Sequence, residues 1–118
     1  MVSLADLRRA HENGPYLGTH IVGGDTLFTE AAGRTGFDYL WIDTEHAPLD
    51  RGHVIAHLVA ARASGIRAFV RIGANDPTLA KPFLDAGVDG IIFPMITPAA
   101  DATRAPHAYL YPPATPAA

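Results

Sequence analysis

The strongest constraint on this chain is a recurring alternation of short apolar runs with segments that carry helix punctuation. Residues 16–22, 39–42, 68–72 and 90–93 are apolar runs of strand length. Between them, Asp25 can cap a helix over residues 26–34, and Gly36 ends it. Leu49-Asp50 opens a second helix that Ser64-Gly65 closes, with Val54, Ile55, Leu58 and Val59 on its apolar face. Asn75-Asp76-Pro77 starts a third, carrying Leu79, Phe83 and Leu84, and Gly87 ends it. Ser3 can cap an earlier helix through Leu4, Leu7 and Ala10, which Asn13-Gly14-Pro15 stops. Strands and helices at this spacing predict an α/β fold of about four β/α units, with parallel strands and right-handed crossovers.

The pattern weakens after Pro98. Residues 98–104 can start a helix that Pro106 interrupts. The expected division is a domain over residues 1–105 and an irregular Pro/Ala-rich tail over residues 106–118. A chain of 118 residues with 48% apolar and 18% charged residues has the composition of one globular domain. A net charge of −3 attracts neither nucleic acid nor an anionic membrane. The absence of cysteine excludes disulfides and thiolate metal sites. No apolar run spans a bilayer and no signal core follows the charged N-terminus, so the expectation is a cytoplasmic protein.

Chemistry is concentrated where the second apolar run stops. Trp41-Ile42 gives way to Asp43, Glu45 and His46, and Arg71 closes the third run. Adjacent parallel strands would bring these ends within side-chain reach. A histidine can act as a base near neutral pH, and an arginine fork can hold a carboxylate in two hydrogen bonds. The set suits deprotonation next to the carbonyl of an anionic keto acid. A salt-bridge cluster without catalytic role fits the same spacing.

Other titratable residues carry less. Asp85 sits near a helix C-terminus, where negative charge is unfavourable by roughly 0.3–1 kcal/mol. Solvent or Lys81, four residues back, would compensate; alternatively Asp85 orients a histidine. His53 and His57 have the spacing of a helical metal pair, but read as partly exposed helix residues. His20 would face opposite to Leu17, Thr19 and Ile21, and could point into a barrel lumen. Gly23-Gly24-Asp25 lacks the spacing of a phosphate cradle and reads as a strand-to-helix turn.

Several ordered segments together resemble the HpcH/HpaI aldolase family. They are Leu17-Gly18-Thr19, Gly36-Phe37-Asp38-Tyr39, Trp41 through Pro48, Val70-Arg71-Ile72, Asn75-Asp76-Pro77, Lys81, Leu84-Asp85-Ala86-Gly87, and Gly90 through Met95. The resemblance covers about residues 14–100. It implies the first half of a (β/α)8 TIM barrel, a homo-oligomer, and class II chemistry with a divalent metal (Mg²⁺, Mn²⁺ or Co²⁺). The implied reaction is reversible aldol cleavage of 4-hydroxy-2-oxo acids to pyruvate and an aldehyde. It implies His46 as the base and Asp85 as its carboxylate partner, in the same chain or from a neighbouring subunit. Arg71 would hold the pyruvate oxygens, and Asp43 and Glu45 would line the metal's water shell.

The sequence also departs from the family. His20-Ile21 stands where a tryptophan or other bulky residue is common. Pro82 falls inside the helix expected after Pro77, a position that costs about 3 kcal/mol unless a kink absorbs it. The family's direct metal ligands, a glutamate and an aspartate from later strands, have no counterpart here. Half a barrel would leave two strand edges and one apolar sheet face uncovered. Pairing of two copies, a separately encoded half, or truncation to a non-catalytic remnant would each accommodate that.

Overall fold

The structure is a computed structural model that describes residues 14–97, together with Ala5 and Arg9. The remaining N-terminal positions, the helix expected at residues 98–104 and the tail lie outside the described residues. Strand β1 is Gly18–Ile21, helix α1 Leu27–Arg34, β2 Tyr39–Asp43, α2 Arg51–Ser64 and β3 Arg67–Arg71. A 3₁₀ turn, Pro77–Leu79, precedes helix α3, Lys81–Asp85, and β4 is Gly90–Ile92. The strands form one sheet in the order β1-β2-β3-β4, and every pairing is parallel. The alternation therefore produces the expected architecture, with strand boundaries displaced by one or two residues.

Side-chain alternation divides the sheet into two unlike faces. Ile21, Leu40, Ile42, Ala68, Val70 and Ile72 are buried, and Val54, Leu58 and Ala61 join them in one core. Each fully buried aliphatic side chain of this size contributes about 1.5–3 kcal/mol. The opposite face takes His20, Tyr39, Trp41, Asp43, Phe69 and Arg71. Apart from Ile92, which pairs with Arg71, the aliphatic members of the runs thus go to the helix side, and the open face is mostly aromatic and charged where a simply apolar one was expected. Tyr39 meets Phe69 edge to face at 5.7 Å. Gly18 and Gly90 make room for this pair. A Cβ at Gly18 would lie 2.3 Å from the Tyr39 ring, and one at Gly90 would lie 2.6 Å from Phe69.

Helix α2 corrects two expectations. Its buried stripe is Val54, His57, Leu58 and Ala61, while Ile55 and Val59 are exposed. His57 was expected to be partly exposed and is instead 0% exposed. Its Nε2 lies 2.9 Å from the Gly23 carbonyl oxygen, which can only accept, so Nε2 carries the proton. Nδ1 is then the acceptor for the Thr29 hydroxyl at 2.8 Å. Burial pushes the His57 pKa down and outweighs the hydrogen bond to Gly23, which favours protonation. The helix starts on a reciprocal cap: Asp50 accepts from the His53 N–H at 2.9 Å, and His53 Nδ1 accepts from the Asp50 N–H at 3.3 Å. It ends on Gly65 at φ 74°, a left-handed position suited to glycine. Both ring nitrogens of His57 are committed, so His53 and His57 do not chelate a metal in this arrangement.

The segment after Pro77 also differs from the single helix expected. Asp76 caps a 3₁₀ turn by accepting from the Thr78 N–H at 2.9 Å, and α3 begins afresh at Lys81. Pro82 then occupies the second position of a new helix, where its missing N–H breaks no hydrogen bond. Among the described residues, no helix is long and apolar enough to cross a membrane.

The His57 linkage sets a pH dependence. A histidine held neutral when folded contributes stability that is complete above its ordinary value of 6.5. That contribution is lost as pH falls from there toward the lowered folded value, because the unfolded chain takes up the proton first. Urea denaturation midpoints should fall across this interval, and His57→Gln should flatten the dependence. Thr29→Val, which leaves Nδ1 without a donor, should destabilise the chain by about 1–3 kcal/mol at neutral pH.

Candidate active site

The C-terminal ends of three strands converge on the Asp43 side chain, which is 1% exposed. Asp43 pairs in register with Arg71, and Trp41 with His20 on one side and Phe69 on the other. Arg71 Nε donates to Asp43 Oδ1 at 3.0 Å and Nη2 to Oδ2 at 2.5 Å, a two-point fork. The backbone N–H groups of Glu45 and His46 donate to the same Oδ1 at 2.9 and 3.1 Å. They are the first residues of the loop that leaves β2, so the carboxylate organises the turn as well as the strand end. His20 Nε2 approaches Oδ2 at 3.1 Å.

Burial alone would raise the Asp43 pKa. The Arg71 hydrogen bonds oppose it, followed by those from His46, Glu45 and His20, and together they hold the carboxyl well below the usual carboxylate range. The same pairing raises the Arg71 pKa against the effect of its own desolvation, with Glu45 adding to it. Asp43 is therefore a permanent anion and Arg71 a permanent cation.

An ionised carboxylate only accepts, so His20 must present Nε2–H to Asp43. Its ring stacks on Trp41 with centroids 3.8 Å apart and planes 5° from parallel. The Arg71 guanidinium carbon lies 4.6 Å from the centre of the same indole. His20 and Arg71 therefore both lie against Trp41 while sharing Asp43. Alternation placed His20 opposite Leu17, Thr19 and Ile21 but gave it no partner. Its place in the site depends on the β1–β2 register, which alternation alone does not supply.

The loop completes the cluster. Glu45 Oε2 is 3.2 Å from Arg71 Nε and 3.7 Å from His46 Nε2. The His46 side chain is 70% exposed and stands over the strand ends. Arg71 Nη1 makes no hydrogen bond among the described residues, and the side chain is 21% exposed. A fixed cation with a free pair of N–H donors thus lies near an accessible imidazole, both beside one oxygen of Glu45.

Asp85 lies elsewhere. It ends α3, and Arg62 in the last turn of α2 donates to the neighbouring Ala86 carbonyl at 3.0 Å. This contact puts the end of α3 at the edge of the sheet where the strands begin, opposite His46. Within one chain the two residues are not brought together.

The described side chains do not form a direct metal site. Asp43 already accepts five hydrogen bonds, which uses the lone-pair capacity of both oxygens. Glu45 has one oxygen engaged with Arg71. Among the described residues, no group of three or more His, Asp or Glu side chains is arranged to hold a metal.

The model of the HpcH/HpaI aldolase/citrate lyase family matches residues 17–116. The chain is 37% identical over 97 residues to a 2-dehydro-3,6-dideoxy-6-sulfogluconate aldolase of Pseudomonas putida, covering 82% of this chain and 38% of that protein. It is 38% identical over 103 residues to a hydroxypyruvate/pyruvate aldolase of Rhizorhabdus wittichii, covering 87% and 41%. The crystal structure of an HpcH/HpaI aldolase/citrate lyase family protein from Burkholderia cenocepacia superimposes with a TM-score of 0.80 at 34% identity, covering 90% of this chain and 43% of that one. An HpcH/HpaI aldolase from Desulfitobacterium hafniense, at 24% identity and a TM-score of 0.78, shares the fold. The chain spans about two-fifths of the length of the curated relatives it matches.

The Asp43–Arg71 fork should dominate the stability of this end of the sheet. Asp43→Asn removes the buried member of the pair and leaves Arg71 with Glu45 as counter-charge, and should lower the unfolding free energy by about 3 kcal/mol in urea titrations at pH 7. The contribution of a carboxylate with a lowered pKa is complete above its ordinary value of 3.8 and is lost as pH falls below it. The gap between parent and variant should therefore narrow in acid.

Proposed function

Since the chain belongs to the HpcH/HpaI aldolase/citrate lyase family, we propose that its strand ends form the 2-oxo-acid-binding and proton-handling part of a pyruvate aldolase site. The reaction is reversible aldol cleavage of a 4-hydroxy-2-oxo acid to pyruvate and an aldehyde. The observation that carries this reading is Arg71. Its Nε and Nη2 are tied to Asp43, and Nη1 is left to face a ligand beside His46. Aldolases among the relatives support the reaction class.

In the synthetic direction Arg71 receives the carboxylate and keto oxygens of pyruvate. His46 takes a methyl proton, and the negative charge that develops on the keto oxygen is held by the guanidinium. The enolate carbon then bonds to the aldehyde carbon, and the aldehyde oxygen takes up a proton. Because the guanidinium is fixed by Asp43 and Trp41, it need not reorganise as charge develops. Glu45 places a negative charge beside the imidazolium formed when His46 accepts the proton.

The family implies a divalent metal such as Mg²⁺, Mn²⁺ or Co²⁺. The described residues offer no direct ligand set, so no step is assigned to it. Glu45 keeps Oε1 without a partner among the described residues, and that oxygen suits the water shell of such an ion. Asp85 pairs with His46 only if a second chain brings it there, which ties the acid–base role to a homo-oligomer.

Methyl-proton exchange tests the reading without an aldehyde. The purified chain with pyruvate and Mg²⁺ in D₂O should deplete the methyl proton signal faster than Mg²⁺ alone. Arg71→Ala and His46→Ala should each slow exchange at least a hundredfold. Parent exchange no faster than the metal control would rule out a working enolisation site in this chain.

A further inference from the structure

We propose that His20 is a positioning residue that aims Arg71 at the substrate, acting through Asp43 and Trp41 together. The proposal rests on the reading of Arg71 as the group that receives the 2-oxo acid. A planar guanidinium has to be fixed in two ways before its free edge points in one direction. Its plane has to be set, and so does its rotation within that plane. Trp41 packs against the guanidinium, its ring centre 4.6 Å from Cζ, and the Asp43 fork sets the rotation. Besides Arg71 itself, His20 touches both supports.

Each contact is specific. Nε2 of His20 and Nη2 of Arg71 share Oδ2 of Asp43, at 3.1 and 2.5 Å. The His20 N–H therefore limits rotation of the carboxylate about its own axis, which would otherwise carry the guanidinium with it. The imidazole stacks on Trp41, with centroids 3.8 Å apart. That packing restrains the indole against which the cation lies. His20 lies on β1, its supports on β2 and the guanidinium on β3, so the device spans three strands. Nδ1 has no partner among the described residues, and the side chain is 39% exposed. No fold requirement accounts for a polar ring there, since an aromatic hydrocarbon could stack on Trp41 equally well.

Two variants separate the contacts. His20→Phe keeps a ring on Trp41 and removes the N–H. His20→Gln keeps a donor for Asp43 and removes the stack. ¹⁵N NMR reads the supports directly, through the His20 tautomer and the water exchange of the Arg71 Nε–H. The parent should show Nε2–H on His20 and a protected Arg71 Nε–H. His20→Phe should retain the parent urea midpoint yet exchange the Arg71 proton about tenfold faster, the scale of a lost charge-assisted hydrogen bond. His20→Gln should recover most of that protection. In the pyruvate exchange assay, KM should rise about tenfold in His20→Phe with kcat changed much less, and His20→Gln should lie between.

An Nδ1–H tautomer in the parent, or unchanged Arg71 exchange in His20→Phe, would overturn the proposal. Loss of stability in both variants with an unchanged Arg71 signal would make His20 a packing residue only. If His20→Phe does not fold, the parent tautomer and His20→Gln still decide. A parent that binds and exchanges no pyruvate overturns the functional reading instead, and the Arg71 signals continue to report on the positioning device.

Discussion

A single buried carboxylate holds the end of this sheet together. Asp43 lies among groups that could not remain so closely packed without its charge. The Arg71 guanidinium, the His20 N–H and two backbone N–H groups of the following loop all point at it. Desolvating an anion is expensive unless each oxygen is satisfied, and here each is. The loop bearing Glu45 and His46 therefore has its shape dictated by an ionic centre on the preceding strand. This is why His46 and Arg71, far apart in sequence, stand beside the same oxygen of Glu45.

The sheet separates stability from chemistry by the simplest available means. Along β2, Leu40 and Ile42 face the helices, and Tyr39, Trp41 and Asp43 face the other way. The same division runs through β3, with Ala68 and Val70 on one side and Phe69 and Arg71 on the other. The helix-covered side is a conventional aliphatic core. The open side is built from rings and charges that brace one another, with glycines on β1 and β4 cut away to admit Tyr39 and Phe69.

Much of this was legible in the sequence. Apolar runs ending in Asp43 and Arg71 identified both strand ends, and parallel pairing followed from the crossover lengths. Less legible were the features that depend on register and on three-dimensional depth. His20 is polar within a strand, and only its pairing opposite Trp41 reveals what it does. His57 shares a buried stripe with Val54, Leu58 and Ala61, yet the sequence placed it among partly exposed residues because it is polar. The hydrogen bonds from Thr29 and to Gly23 that reconcile the two come from elements distant in sequence. Pro82 did announce a break, and the chain responds by ending one short helical turn and starting another.

Parallel pairing also gives the site a history during folding. The His20–Asp43 and Asp43–Arg71 contacts span 23 and 28 residues, and each requires a crossover to close before its ladder can form. Only the Glu45 and His46 N–H bonds to Asp43 are local; its side-chain partners all arrive from other strands. A chain emerging stepwise from its N-terminus would expose Asp43 to water until Arg71 arrives on β3. Only then does burying the carboxylate become favourable. The ordered strand end and the Asp43–Arg71 pair thus form together.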